Sequence, residues 1–170
     1  MLNEKVKKLL NEQVNKELYS AYLYLDFSNY FEARGLNGFA NWYYVQAQEE
    51  RDHAMLLYRY LHKNNEKVAL EAIAQPDKKL DSDMGVLKAG LEHEIYVTSL
   101  INDIYSAAQS AKDYRTMQLL DWFVKEQSEE EDNANNLIAK MELFGSTPNG
   151  LYMLNNELAA RVYAAPSLVV

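Results

Sequence analysis

Glycine and proline, the residues that interrupt helices, are few in this chain and fall together. The six glycines are Gly35, Gly38, Gly85, Gly90, Gly145 and Gly150, and the three prolines are Pro76, Pro148 and Pro166. Between them run long stretches rich in Leu, Ala, Glu, Lys and Gln with no strand-type alternation. Such sequence predicts helix. A first helix is expected from about Asn3 to Arg34, closed by Gly35. A second runs from about Asn37 to Asn64. A third is capped by Asp81 or Ser82 and reaches about Ser110. A fourth spans Asp113 to Phe144, and a short fifth covers LYMLNNELAARVY after the breaker GSTPNG at 145–150. The 170 residues are expected to form one all-α domain, with a four-helix bundle over 1–144 and a short C-terminal helix and tail over 148–170.

The links at 34–37 and 110–113 are short, so each joins antiparallel neighbours. The segment from Asn65 to Leu80 is different. A helix of about 28 residues is ~42 Å long, and sixteen extended residues reach ~50 Å. This linker is therefore long enough to cross the bundle and set the second and third helices parallel. The alternative is a disordered linker.

Stepping by three and four residues picks out one inward seam per helix. The seams read Val6, Leu10, Val14, Glu17, Ala21, Tyr24, Ser28, Phe31; then Phe39, Tyr43, Gln46, Glu50, His53, Leu57, Tyr60. The third and fourth read Leu87, Leu91, Glu94, Thr98, Ile101, Tyr105, Ala108 and Leu120, Phe123, Gln127, Glu130, Ala134, Leu137, Met141, Phe144. Each is broken near its middle by groups foreign to a dry core. Counted from the first turn, Glu17 lies ~26 Å along its helix, and Glu50 and His53 lie ~21–26 Å along theirs. Counted from the second turn, Glu94 lies ~24 Å along, and Gln127 and Glu130 ~21–26 Å. All six groups are level at mid-bundle, whether the second and third helices are parallel or not.

Four buried carboxylates without compensation repel one another and lose their hydration. Protonation or bound cations relieve this. Carboxylates with one imidazole suit iron or manganese, and the pattern Glu, Glu-x-x-His, Glu, Gln-x-x-Glu over four helices is that of a di-metal centre in a bundle. A lone Glu on a helix is ordinarily solvated, and a lone His is ordinarily a core residue. The common depth is what carries the metal reading. Glu49, Glu126, Glu129 and Glu130 form a second acidic group that a third cation would bridge; a solvated acidic face is the alternative. Tyr24, one heptad after Glu17, is placed to hydrogen-bond a ligand or give up an electron, whereas simple core packing is the default for a tyrosine.

Composition removes other classes of function. The chain has no cysteine, which excludes disulfides, thiolate catalysis and Cys-held zinc or iron–sulfur clusters. Its formal charge of −8 is the wrong sign for a nucleic-acid partner. The apolar runs are too short to span a membrane and the N-terminus lacks an apolar signal core, so a cytoplasmic protein is expected.

The segments NEQVNKELYSAYLYL at 11–25, AQEERDHA at 47–54, HE at 93–94, LLDWFVKEQSEEE at 119–131 and GLYMLNNEL at 150–158 resemble those of the ferritins, most closely the bacterial non-haem ferritins. The resemblance covers nearly the whole chain. It implies a ferritin-like bundle with a long crossover loop and a short fifth helix. It also implies a first iron at Glu17, Glu50 and His53, and a second at Glu50 (bridging), Glu94 and Glu130, with Gln127 beside them. Glu49, Glu126, Glu129 and Glu130 match a third iron site, and Tyr24 matches the tyrosine next to the centre. The implied activity is ferroxidase: Fe2+ is oxidised by O2 or H2O2 and stored as ferric mineral inside a 24-subunit homo-oligomeric shell. A di-iron oxidase or peroxidase that detoxifies peroxide without storage is the alternative. Haem is not expected. Arg51 stands where haem-binding relatives place a Met, and Gln127-x-x-Glu130 replaces their Glu-x-x-His. Met117 and Leu120 stand where animal ferritins put channel acids. The apolar ending AAPSLVV matches no motif; it packs at a symmetry axis or stays loose.

Overall fold

The computed structural model describes residues 2–170. It contains helices α1 (Glu4–Ala33), α2 (Asn37–Lys63), α3 (Asp83–Ser110), α4 (Tyr114–Phe144) and α5 (Pro148–Leu158). Side chains one residue outside four of the helices accept hydrogen bonds from their first turns: Asn3 from Lys5, Ser82 from Gly85, Asp113 from Thr116 and Thr147 from Gly150. Gly35 at φ +71° provides the left-handed residue that ends α1. The fifth helix differs from the expectation. It begins at Pro148, not Leu151, and ends at Leu158, not Tyr163. STP is a start signal inside an apparent breaker: Thr147 caps, and Pro148 sits in the first turn, where its missing N–H costs nothing.

The linker after α2 crosses the bundle along α1. Lys7 pairs with Glu66 at 3.6 Å, and Asn11 exchanges two hydrogen bonds with the Ala69 backbone at 2.8 and 3.1 Å. Asn15 donates to the Ala72 carbonyl at 3.2 Å, Tyr19 to Asp77 at 3.3 Å, and Arg34 pairs with Asp83 at 2.6 Å. These anchors climb α1 from its first turn to its end, a distance of ~40 Å at 1.5 Å per residue. The chain therefore enters α3 at the end where α2 began, and α2 and α3 run parallel.

The core consists of two apolar clusters with a polar layer between them. One joins Val6, Leu10 and Val14 of α1 to Leu57, Leu61, Ile101, Ile104, Leu120 and Phe123. The other joins Leu23, Phe27 and Phe31 to Phe39, Tyr43, Leu87, Leu137 and the α5 residues Leu154 and Leu158. The expected seams are buried or partly buried throughout, except at Phe144, which is 51% exposed. A strict 3.5-residue seam drifts around a 3.6-residue helix by ~20° per heptad, and over α4 that drift carries the last position outward.

α5 crosses the end of the bundle and caps α2. Leu36, which precedes α2, has no capping side chain. Asn155 supplies one instead, its Oδ1 accepting from the Gly38 N–H at 2.8 Å and the Phe39 N–H at 3.4 Å. A Cβ on Gly38 would lie 1.7 Å from the Asn155 carbonyl oxygen, so this approach requires glycine. The tail beyond α5 does not stay loose. It folds back on its own bundle, where Leu168 and Val170 pack against the first apolar cluster. Among the described residues, no helix is long and apolar enough to cross a membrane.

Candidate metal centre

The polar layer is where the four broken seams meet. Glu17, Gln46, Glu50, His53, Glu94, Gln127 and Glu130 are all buried, at 5% exposure or less. Spacing along each helix fixes their depth, and packed apolar clusters lie above and below them. Glu17, Glu50 and His53 each point one donor atom into a space where all three atoms lie within 4.8 Å of one another. Nδ1 of His53 is 3.5 Å from Glu50 Oε2, and its Nε2 is 3.9 Å from Glu126 Oε1. Among the described residues, only two buried side-chain polar atoms lack a hydrogen-bond partner: Glu17 Oε2 and His53 Nδ1. Buried polar atoms are seldom left unpaired. Two such atoms in one polar layer fit a cation that binds both in exchange for their protons.

Amides position the carboxylates. Gln13 donates to Glu17 at 2.9 Å and Gln46 to Glu50 at 3.1 Å. Both are i, i+4 pairs on one helix, so the signal for them was present in the sequence although no role was read for either glutamine. Gln127 Nε2 donates to Glu94 Oε2 at 3.1 Å and to the Glu94 carbonyl at 3.3 Å. It therefore meets the centre as a donor that holds Glu94. Tyr24 donates to the other oxygen of Glu94, Oε1. His93, unassigned in the sequence reading, is buried with its Nε2 2.8 Å from Ser20 Oγ.

Burial and crowding raise the affinity of these carboxylates for protons. Burial, reinforced by the charge of Glu50, pushes Glu17 up to about 8 and Glu130 up to about 7. The same two causes lift Glu94 well above the carboxylate range. Burial also opposes ionisation of Glu50, but His53 and the Gln46 amide overcome it and hold Glu50 below its ordinary value. Burial disfavours the His53 imidazolium, yet Glu50, Glu17 and Glu130 together raise it to about 10. Without metal, the site keeps one firm carboxylate paired with an imidazolium and stores protons on the other acids.

Two acids of the second group are paired with cations of the chain itself. Glu49 Oε2 is held 2.5 Å from Arg161, and Glu129 turns outward to Lys125 at 3.2 Å. All four acids nevertheless line one chamber that reaches His53. Trp122 stands beside the site, edge-on to the His53 ring at 5.6 Å.

Comparison with known proteins agrees with this geometry. A family model described as a ferritin-like domain matches residues 7–144, the span that carries every buried polar group of the centre. The bacterial non-heme ferritin of Campylobacter jejuni is 39% identical over 153 residues, covering 90% of this chain and 92% of the relative. That of Staphylococcus epidermidis is 35% identical and covers 96% and 98%. Among solved structures, the open-pore ferritin of the hyperthermophilic archaeon Archaeoglobus fulgidus superposes with a TM-score of 0.92 at 39% identity, covering 95% of this chain and 98% of that one. Its engineered closed form gives 0.93 at 38%. Identity at that level over nearly the full length of both partners, with the same fold, establishes that the chain belongs to the ferritin family.

Proposed function

We propose that this protein stores iron and that the buried polar layer is its di-iron ferroxidase centre. The observation that carries the reading is the triad of Glu17, Glu50 and His53, each with a ligand atom within 4.8 Å of the other two, in a layer that leaves one atom of Glu17 and one of His53 unpaired. Fe2+ is the substrate. Glu17, Glu50 and His53 take one ion. Glu50, Glu94 and Glu130 take the second, so that Glu50, the one carboxylate held ionised, is shared. O2, or H2O2 in its place, accepts one electron from each of the two ions. The two apolar clusters keep bulk water from the reacting pair. Gln13, Gln46 and Gln127 fix the carboxylate rotamers, and Tyr24 holds Glu94 and is the nearest phenol to the pair.

Ferric ions then leave for a mineral inside a homo-oligomeric shell. The Archaeoglobus relatives are described as open-pore and closed forms, which supports a shell here too. On the ferritin pattern of 24 copies, a 19.6 kDa chain gives a shell of about 470 kDa. The net charge of −8 per chain favours attraction of Fe2+ to such a particle.

Anaerobic loading with Fe2+ followed by O2 tests the reading, with Glu50→Ala as control. The wild-type protein should oxidise two Fe2+ per chain in a fast phase and then continue to hundreds per shell. The variant should lose the fast phase. Equal rates for both proteins would refute the centre. A fast phase with no further uptake would favour the oxidase or peroxidase alternative.

A further inference from the structure

The chain after α5 turns back along the groove between α2 and α4 and is held at successive points. Asn41 donates to the carbonyls of Leu158 at 3.4 Å and Arg161 at 3.0 Å. The Arg161 guanidinium lies over the Trp42 ring at 4.2 Å, donates to the Trp42 carbonyl at 3.1 Å and reaches Glu49 Oε2 at 2.5 Å. Tyr163 donates to Asp52, and Ser167 accepts from the Trp122 indole at 3.0 Å. Ala164, Ala165 and Pro166 thereby roof a chamber of about 220 Å³ whose opposite wall is His53, Glu126 and Glu130. At roughly 30 Å³ per water, the chamber has room for a partly hydrated cation.

Arg161 occupies a specific electrostatic position. Its side chain is 15% exposed and that of Glu49 19%, so the pair is largely shielded from solvent. A planar guanidinium can satisfy a carbonyl and a carboxylate at once while stacking on an indole, which a lysine cannot do. The acids beside His53 thus already have a cation, supplied by the chain itself.

We propose that residues 161–167 form a strap and that Arg161 is a built-in counter-cation of the second acidic group. A third metal ion enters among Glu49, Glu126, Glu129 and Glu130 only when Arg161 releases Glu49 and the strap lifts. The strap thereby meters cation passage between the buried centre and the α2–α4 face. The inference rests on the di-iron reading of that centre.

The test uses metal-free assembled protein under anaerobic conditions, with Fe2+ followed by calorimetry and by tryptophan emission. The chain has two tryptophans, Trp42 and Trp122, and the strap touches both. Wild-type protein should show two tight binding events per chain and a weaker third that brings a further change in emission as the strap leaves Trp42 and Trp122. In Arg161→Gln the third event should tighten about tenfold, the usual worth of a hydrogen bond to a charged group. Arg161→Lys, which keeps the charge but loses the fork, should tighten it less and serves if the Gln variant fails to assemble. A third event of unchanged affinity in both variants, or one that leaves the emission of the wild type untouched, overturns the strap. Loss of the first two events in the wild type would instead overturn the di-iron reading.

Discussion

Replacing Glu17 by Gln is expected to stabilise the metal-free protein while weakening its response to metal. Glu17 is fully buried, and its carboxyl is raised from 4.5 to about 8 by burial and by Glu50. The folded chain holds this proton more tightly than the unfolded chain does. The resulting penalty is absent below about pH 4.5, grows as pH rises and levels off above about 8. pH 7 lies 2.5 units above the ordinary value of 4.5 and still below the raised value, so at 1.36 kcal/mol per unit the penalty there is about 3 kcal/mol. At pH 5 the same linkage leaves about 1 kcal/mol. A neutral amide avoids the penalty, keeps an acceptor for Gln13 and offers an N–H toward Glu50 in place of the unpaired Oε2. For a chain of this length 1 kcal/mol moves Tm by roughly 2–4 °C, so the gain should be about 6–12 °C at pH 7 and about 2–4 °C at pH 5. Thermal unfolding of chelator-treated protein followed by circular dichroism reads both. Saturating Zn2+ should raise the Tm of the wild type more than that of the variant, because the variant lacks a ligand. A metal-free variant no more stable than wild type at pH 7, or a gain that does not shrink at pH 5, would refute the argument.

Two further outcomes follow from the same structure. Metal binding at pH 7 should expel roughly three and a half protons per pair of cations, because coordination requires deprotonated donors. One each comes from Glu17, Glu94 and His53 and about half of one from Glu130. Titration of Fe2+ or Zn2+ into weakly buffered protein measures this directly, and release of one proton or fewer would contradict the assigned protonation. Gly38→Ala should force α5 away from α2, since the new Cβ would sit 1.7 Å from the Asn155 carbonyl oxygen. A loss of about 3 kcal/mol, the upper end for overpacking, is expected by thermal unfolding. An unchanged Tm would show that α5 does not cap α2 as described.

The centre was legible in the sequence because its information is local. A rise of 1.5 Å per residue converts position into depth, so Glu17, Glu50, His53, Glu94, Gln127 and Glu130 could be placed at one level before any packing was known. The same periodicity marks Gln13 and Gln46 as partners of Glu17 and Glu50. It overreached only at Phe144, where a fixed step accumulates rotational drift. The second acidic group shows the limit. Glu49, Glu126, Glu129 and Glu130 line one chamber, but which of them are free to meet a cation depends on competing partners, and Arg161 and Lys125 pair with two of the four.

The sequence by itself therefore determined the four long helices and the level at which donors collect, both of which depend on neighbours a few residues apart. The tertiary structure alone decided that α2 and α3 run parallel, because equal depths are consistent with either direction and only the anchors from Asn11 to Arg34 choose between them. It alone brought Asn155 to the start of α2 and Arg161 to Glu49, across 117 and 112 residues of chain. Those contacts depend on how α5 and the tail close over the end of the bundle, a matter of packing geometry that no local spacing encodes.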